Sequence, residues 1–595
     1  MPQRKPRDKN GFKALLSLAR YLAPQGSRLA CAFILMLTGS CGVMYFPYAA
    51  RIAIDRYITP RRIDGFPAFI ACTAGVMILA ALANAWRTRI MANVGQRTIR
   101  RIRLDLFTHL QRLPVAFFDR MPVGKVMTRL TSDVDALAEL FSGTIVQMVG
   151  DVLICAGFVG IMLALDWRMA LVAMASLPPM LFVFTFLSGR IHRAEDEVRE
   201  RASTVNAILQ ENVSGIKVIQ AFCAERRFGE RFEEANQTLL RAGLRAVRVF
   251  GFFWPIVDAT WTASSGWMLL AGGYFVLKGT LTVGGLAAFM GYAGEFFGPL
   301  RGLSQAYRVI QRALAGAVRI NAILAEQAEH DAILPAMPPV RGRVEFEGVT
   351  FGYDQSRTIL RGINLTVSPG QLVALVGRTG AGKTSLINLL CRFYTPQAGV
   401  IRVDGVDINA TDLHSYRSQI ALVLQEPFLF SGTIRDNLRY GKKTATDEEM
   451  LAALRAAGLL EIADQGLGLD SVLHERGGNL SSGQRQLLSF ARAILAEPRL
   501  IILDEATAHV DTITERKVQA AMAHLLAGRT AFVIAHRLST IQAADQIVVI
   551  EEGEIAERGR HEELLAARGG YWRLCREQNV LTRGELVEED TAAEA

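Results

Sequence analysis

Apolar residues first gather on one helical face between Phe12 and Leu22 (FKALLSLARYL), with Lys13 and Arg20 elsewhere on the surface. That pattern predicts a short helix lying at a membrane interface. Six apolar spans follow, at about Leu29–Ala50, Phe66–Trp86, Leu140–Leu165, Met169–Leu187, Phe250–Val276 and Val283–Leu300. The first holds 22 residues without a charge, enough at about 1.5 Å per residue to cross a ~30 Å hydrocarbon core. Little more than Asp166, Trp167 and Arg168 joins spans three and four, and Leu277 to Thr282 joins spans five and six. Spans two and three, by contrast, stand 53 residues apart and spans four and five 62 residues apart, across Arg-rich, helix-like stretches.

Beyond Arg301 the sequence stays helical and turns polar as far as Ile333, and Pro335–Gly342 (PAMPPVRG) reads as a linker. Short β-branched strands then alternate with helical segments, the pattern of a mixed α/β domain. The acidic end, Glu585–Ala595, reads as disordered. The expected parts are an interfacial elbow at 1–28, a membrane domain at 29–330, a linker at 331–343, an α/β domain at 344–578 and a tail at 579–595.

Charge sharpens this division. Met1–His330 carries 38 Lys and Arg against 23 Asp and Glu, a net of +15, whereas the remainder is −6. The Arg residues sit between the apolar spans, which suits loops beside anionic lipid better than a nucleic-acid surface, so no nucleic-acid partner is expected. The basic long loops place both termini in the cytoplasm, with Arg61 and Arg62 in the first external loop weakening the asymmetry. The first apolar run is too long for a signal-peptide core and is read as retained. The seven cysteines are odd in number and form no CxxC pair, so they are read as small buried side chains in a reducing compartment.

Candidate chemistry begins at Gly377–Thr384 (GRTGAGKT), between an apolar strand-like run, Leu372–Val376, and a helix-like run, Ser385–Leu390. A glycine-rich turn in that setting lets backbone N–H groups wrap a polyphosphate, with Lys383 reaching the terminal phosphates and the Thr384 hydroxyl on Mg²⁺. The chain is therefore expected to bind a nucleoside triphosphate. Arg499–Asp504 (RLIILD) is a second apolar strand ending in an acid, followed by Glu505. Leu480–Gln484 reads LSSGQ, a small-residue turn whose helix start offers N–H groups to a phosphate.

With this signature string the sequence resembles the ATP-binding cassette (ABC) family. The resemblance implies ATP and Mg²⁺ as cofactors. It implies a phosphate cradle of Gly377, Arg378, Thr379, Gly380, Ala381, Gly382, Lys383, Thr384 and Ser385, and Tyr353 (in VTFGYD) stacking on adenine. Thr384, Gln425 (in LVLQEPFLF) and Asp504 are implied around Mg²⁺. Glu505 is implied as the base that polarises water, and His536 as the switch histidine at the γ-phosphate; Lys383 and Gln425 complete the implied catalytic set. Ser481, Gly483, Gln484 and Asp511 would face a nucleotide held by a second cassette, so one cassette per chain implies dimerisation. The sequence departs from the family's commonest pattern at Ser482, where Gly is usual, and in the D-loop Ala508-His509-Val510-Asp511. His509 is read as an interface residue.

Phe117–Leu137 and Glu211–Glu225 resemble the first and second intracellular loops of ABC exporters, and Glu475-Arg476-Gly477 resembles an exporter-specific loop that meets them. The implied fold is an all-α six-helix transmembrane domain followed by a cytoplasmic α/β P-loop NTPase domain. The implied function is ATP-driven export of amphipathic small molecules, drugs or lipids, across the cytoplasmic membrane by a homodimer or heterodimer of half-transporters. Import of metal chelates and a non-transporting regulatory role are the alternatives. Asp151, Asp258 and Glu295 lie in apolar spans, where ionisable groups are costly, and are candidates to line a substrate cavity. Trp254, Trp261, Met290 and Phe296 are candidates for an adaptable pocket.

Overall fold

The computed structural model describes residues 9–175, 177–329, 334–354, 356–459, 468–504, 512–535 and 537–577. The chain forms two compact units, 1–108 with 124–325 and 109–123 with 326–595.

The first unit is helical. Its elbow helix, Lys9–Ala19, buries Leu18 and leaves Phe12 and Leu16 exposed. Asn321 fastens it to the helix Phe297–Leu324, donating to the Ala14 carbonyl (2.9 Å) and the Ser17 hydroxyl (2.7 Å). The expected interfacial helix therefore packs on protein along one side and keeps an apolar side outward.

Among the described residues three continuous helical runs are long and apolar enough to cross a membrane: Gly11–Ile58, Phe66–Leu110 and Val123–Leu165. The other expected spans fall on Trp167–Ala175 with Leu177–Ser214, on Phe253–Leu277, and on Val283–Glu295 with Phe297–Leu324. Phe66–Leu110 has 45 residues and so spans roughly 68 Å, about twice what a bilayer core needs.

The short connections are built by caps. Asp166 turns extended (φ −163°, ψ 112°) and stops the preceding helix, while its carboxylate accepts from the N–H groups of Arg168 (2.8 Å) and Met169 (2.9 Å) to start the next. Thr282 accepts from the Gly285 N–H (3.0 Å) and donates to Asp55 (2.6 Å), joining the start of the last span to the end of the first. Of the acids singled out in the sequence, Asp151 is buried, whereas Asp258 and Glu295 are exposed on this chain.

The second unit is α/β. Six strands lie in the order β12-β11-β3-β10-β9-β6: β3 is Leu372–Val376, β6 Ile420–Val423, β9 Leu500–Asp504, β10 Thr530–Ile534, β11 Gln546–Glu551 and β12 Glu554–Gly559. All pair in parallel except β11 with β12. A four-stranded antiparallel sheet, order β2-β1-β4-β5, adds β1 (Val344–Phe351), β2 (Leu360–Val367), β4 (Ala398–Val403) and β5 (Val406–Asp407), and a short ribbon pairs β7 (Gly432–Thr433) with β8 (Val472–Leu473). β3, β9 and β10 are nearly all apolar because both faces are covered. Ala374 and Val376 pack on one side with Leu487 and Phe490, and Val373 and Leu375 on the other with Phe346 and Leu389. Ile534 pairs with both Leu375 and Asp504, so the carboxyl ends of β3, β10 and β9 finish level, the place where parallel sheets bind ligands.

Close helix contacts in the first unit rest on glycine. A Cβ on Gly95 would lie 2.5 Å from Ser142 Cβ and 2.8 Å from its Cα, whereas one on Gly160 would meet nothing within 4 Å. Gly95→Ala is expected to destabilise the protein by about 1–3 kcal/mol through overpacking, with Gly160→Ala near neutral. Thermal unfolding of the two purified variants side by side checks the difference.

Candidate nucleotide site

The turn after β3 is set by three glycines. Gly377, Gly380 and Gly382 have φ of 154°, 87° and 112°, in the left-handed region that favours glycine. A Cβ on Gly377 would stand 2.3 Å from the Ile550 carbonyl oxygen, and one on Gly382 2.6 Å from Leu360 Cδ2. The loop thus rests directly on the strands beside it and opens into the helix Lys383–Leu390. This cradle fits a polyphosphate because its N–H groups and the helix start face the same end of the sheet.

Lys383 curls back over the loop, its ammonium donating to the carbonyls of Gly377 (2.6 Å) and Arg378 (3.0 Å). Burial lowers the Lys383 pKa, and the Asp504 carboxylate opposes that shift. Ser385 is buried and Thr384 exposed at the same helix start. Among the described residues no three His, Cys, Asp or Glu side chains converge as metal ligands. The implied Mg²⁺ set, Thr384, Gln425 and Asp504, has a single carboxylate, which suits an ion held chiefly by nucleotide oxygens and water. Glu505, His536 and Asp511, with the D-loop residues Ala508, His509 and Val510, lie outside the described residues.

The Tyr353 hydroxyl accepts from Ser385 Oγ (3.2 Å) and Asn388 Nδ2 (3.1 Å), so this tyrosine is tied to the phosphate-loop helix. Its ring, 46% exposed, stands edge-on to Phe351 (centroids 5.0 Å) and Tyr394 (4.9 Å). Tyr394 in turn donates to the Asp119 carboxylate, in the segment 109–123 that belongs to this unit. Burial, then the adjacent Asp119, raises the Tyr394 pKa and keeps its hydroxyl a donor. The same segment is held by the Glu329 N–H on the Arg112 carbonyl (2.8 Å), and the Glu329 carboxylate receives two bonds from Arg417 (2.7 and 3.0 Å).

The signature turn is a helix cap. Ser481 Oγ accepts from the Gln484 N–H (3.2 Å) and Gln484 Oε1 accepts from the Ser481 N–H (2.9 Å), closing a capping box on the helix Ser482–Leu495. The Ser481 hydroxyl keeps its own hydrogen to donate. Gly483 is buried, and the exposed Ser482 shows why a side chain is tolerated at that position. Farther along this helix, Arg492 donates to the Phe428 carbonyl (3.2 Å) and to Asn437 Oδ1 (3.0 Å), and Asn437 also receives the Phe430 N–H (3.0 Å). The loop carrying the exposed Gln425 is thereby tied to the signature helix. Tyr394, Asn437 and Arg492 carry no motif of their own, and sequence reasoning missed them; Asp119 lies in the loop-like stretch Phe117–Leu137 but is not singled out within it.

Residues 29–300 match the family described as ABC transporter transmembrane region, and residues 360–508 the family described as ABC transporter. The chain belongs to the ABC transporters. It is 34% identical over 569 residues to the ATP-dependent lipid A-core flippase of Syntrophus aciditrophicus (strain SB), covering 95% of this chain and 94% of that one. It is 38% identical over 502 residues to the fatty acid ABC transporter ATP-binding/permease protein of Mycobacterium bovis (strain ATCC BAA-935 / AF2122/97), covering 84% and 80%. A solved bacterial Atm1-family ABC exporter with ATP bound superposes with a TM-score of 0.75 at 26% identity, covering 94% of this chain and 99% of that one. This ABC transporter is an exporter-type half-transporter, with a membrane-embedded helical domain and an ATP-binding cassette on one polypeptide.

The cradle makes a sharp prediction. Gly377→Ala adds a backbone collision to strain at positive φ and is expected to weaken ATP binding at least about tenfold. Gly370, at φ 79° with nothing within 4 Å of an added Cβ, lies outside the loop. Gly370→Ala is expected to cost only about 1–2 kcal/mol of stability and to leave ATP affinity unchanged. Equilibrium binding of a fluorescent ATP analogue, read beside thermal unfolding, separates the two.

Proposed function

We propose that this half-transporter pairs with a second one, a copy of itself or a related chain, and exports amphipathic small molecules, drugs or lipids, across the cytoplasmic membrane by alternating access. What carries the reading is the fastening of residues 109–123 to the cassette that holds the phosphate cradle. The helix Phe66–Leu110 runs directly into that segment, so the chain itself links the cassette's segment to a membrane helix. The partner requirement is supported by a patch on the first unit, where Val213, Val218 and Phe222 are 70%, 61% and 80% exposed around the short helix Ile216–Ala221. Apolar side chains so exposed favour a covering partner.

In this proposal the elbow at 1–28, the membrane domain at 29–330 and the cassette at 344–578 act as the parts of one machine, with both termini in the cytoplasm. ATP supplies the phosphoryl group whose transfer to water drives the cycle, with Mg²⁺ offsetting its charge. Arg378, Thr379, Ala381 and the loop glycines wrap the phosphates, Lys383 binds the terminal ones, and Tyr353 stacks on the base. Thr384, Gln425 and Asp504 hold the metal, Glu505 accepts the proton of the attacking water, and His536 orients that water. Ser481, Gly483, Gln484 and Asp511 of the facing cassette close the sandwich. Closure and release then bias the membrane helices between two arrangements, because each nucleotide state favours one of them. The lipid and fatty-acid names of the two relatives support an amphipathic substrate.

Mg²⁺-dependent ATP turnover by the chain expressed alone in nanodiscs is expected to fall by two orders of magnitude or more on Glu505→Gln, the loss typical of a general base. Turnover unaffected by that change overturns the assigned chemistry, and no turnover from a folded, ATP-binding chain shows that a different partner chain is required. In inside-out vesicles, ATP is expected to drive a fluorescent amphiphile into the lumen; ATP-driven movement out of the lumen instead identifies an importer.

A further inference from the structure

A cleft of about 330 Å³ opens between the helices Gly26–Ile52, Phe66–Leu110 and Ile145–Leu165, at the small end of the ~300–1,000 Å³ usual for ligand pockets. Its lining is apolar toward one end, with Val43, Met77 and Ile154, and polar toward the other, with Asn84, Arg87 and Gln147. The order of these residues along the two helices that carry the polar groups is consistent. In the second and third of these helices, Met77 to Arg87 and Ile154 to Gln147, the polar end lies nearer the cytoplasmic side assigned from the loop charges, and Arg87 stands one residue past the second apolar span.

The Arg87 guanidinium donates to Gln147 Oε1 (2.9 Å) and Asn84 Oδ1 (2.6 Å), both neutral amides. Among the described residues no carboxylate lies within ion-pair distance of it. The acid of the cluster is sealed away: Asp151 is 3% exposed, its Oδ1 accepts from Gln147 Nε2 (2.7 Å), and its Oδ2 packs against Gly302 without a hydrogen-bond partner. Asp151 does not line the cleft, and the Gln147 amide stands between it and Arg87. The charge presented to the cleft is therefore positive, with an apolar slot leading from it toward the membrane interior.

We propose that this cleft is a substrate subsite for a single-chain amphiphile with an anionic head, a carboxylate or a phosphate monoester, its head on Arg87 and its chain along Val43, Met77 and Ile154. The inference deepens the export reading and rests on it for the role of the bound molecule. A guanidinium with N–H donors to spare matches either head group, and at the cytoplasmic edge it meets an amphiphile in the orientation that the inner leaflet imposes.

The test is equilibrium binding of dodecanoate, dodecyl phosphate and dodecyltrimethylammonium to the full chain in nanodiscs, without ATP and with empty nanodiscs subtracted. Both anions are expected to bind about tenfold tighter than the cation. Arg87→Gln is expected to weaken the anions about tenfold, the loss of a charge-assisted hydrogen bond, and Arg87→Lys to restore most of the affinity. If only one anion responds to Arg87, the head group is identified as that one. Equal binding to wild type and Arg87→Gln, with each variant retaining ATP affinity as a check on folding, overturns the proposal; so does tighter binding of the cation that is lost on Asp151→Asn. Because the measurement needs no turnover, Arg87-dependent binding by a chain that moves amphiphile out of inside-out vesicles with ATP would contradict the export reading and leave the subsite standing.

Discussion

The structure depends on how residues 109–123 are held. They follow a 45-residue helix that begins in an apolar span, yet they cluster with the cassette. Two contacts fasten them, the Glu329 N–H on the Arg112 carbonyl and the Tyr394 hydroxyl on Asp119, and the Arg417 fork holds Glu329 in turn. A segment gripped only by apolar burial can slide. One gripped by directional hydrogen bonds to a backbone carbonyl and a carboxylate has a fixed register, as a part that transmits displacement requires.

The same grip lies close to the nucleotide site. Tyr394 meets Tyr353 edge to face, and Tyr353 is hydrogen-bonded to Ser385 and Asn388 on the phosphate-loop helix. Packed aromatic rings move little independently of one another, so a nucleotide base resting on Tyr353 would bear on the side chain that holds Asp119. On the other side of the cassette, Arg492 and Asn437 join the signature helix to the loop that carries Gln425. In the second connection Asn437 is buried, so losing Arg492 would deprive a buried acceptor of a bond.

Much of this was legible in the sequence, for physical reasons. A bilayer demands about 20 apolar residues per crossing, so the spans announce themselves. A backbone phosphate cradle demands glycines at positive φ, so Gly377, Gly380 and Gly382 do the same. The helix start at Ser481 follows from the small residues of the LSSGQ string. What the sequence hid was contact between distant side chains. Tyr394 and Asp119 are 275 residues apart, and Arg87 and Gln147 are 60 apart. Charge in an apolar span drew attention to Asp258 and Glu295, which are exposed on this chain, and to Asp151, which is sealed against Gly302. Arg87 stood just past the end of a span and drew none, although it is the charge that faces the cleft.

The central claim is that the cassette drives the membrane helices through the grip on residues 109–123. The most direct measurement is the amount of amphiphile moved per ATP hydrolysed, in proteoliposomes, for Tyr394→Phe, Asp119→Ala and the double variant. The account predicts that each single change lowers this ratio while ATP affinity stays unchanged, and that the double variant is no worse than either single one, because both remove the same bond. An unchanged ratio in all three, or losses that simply add, would contradict it.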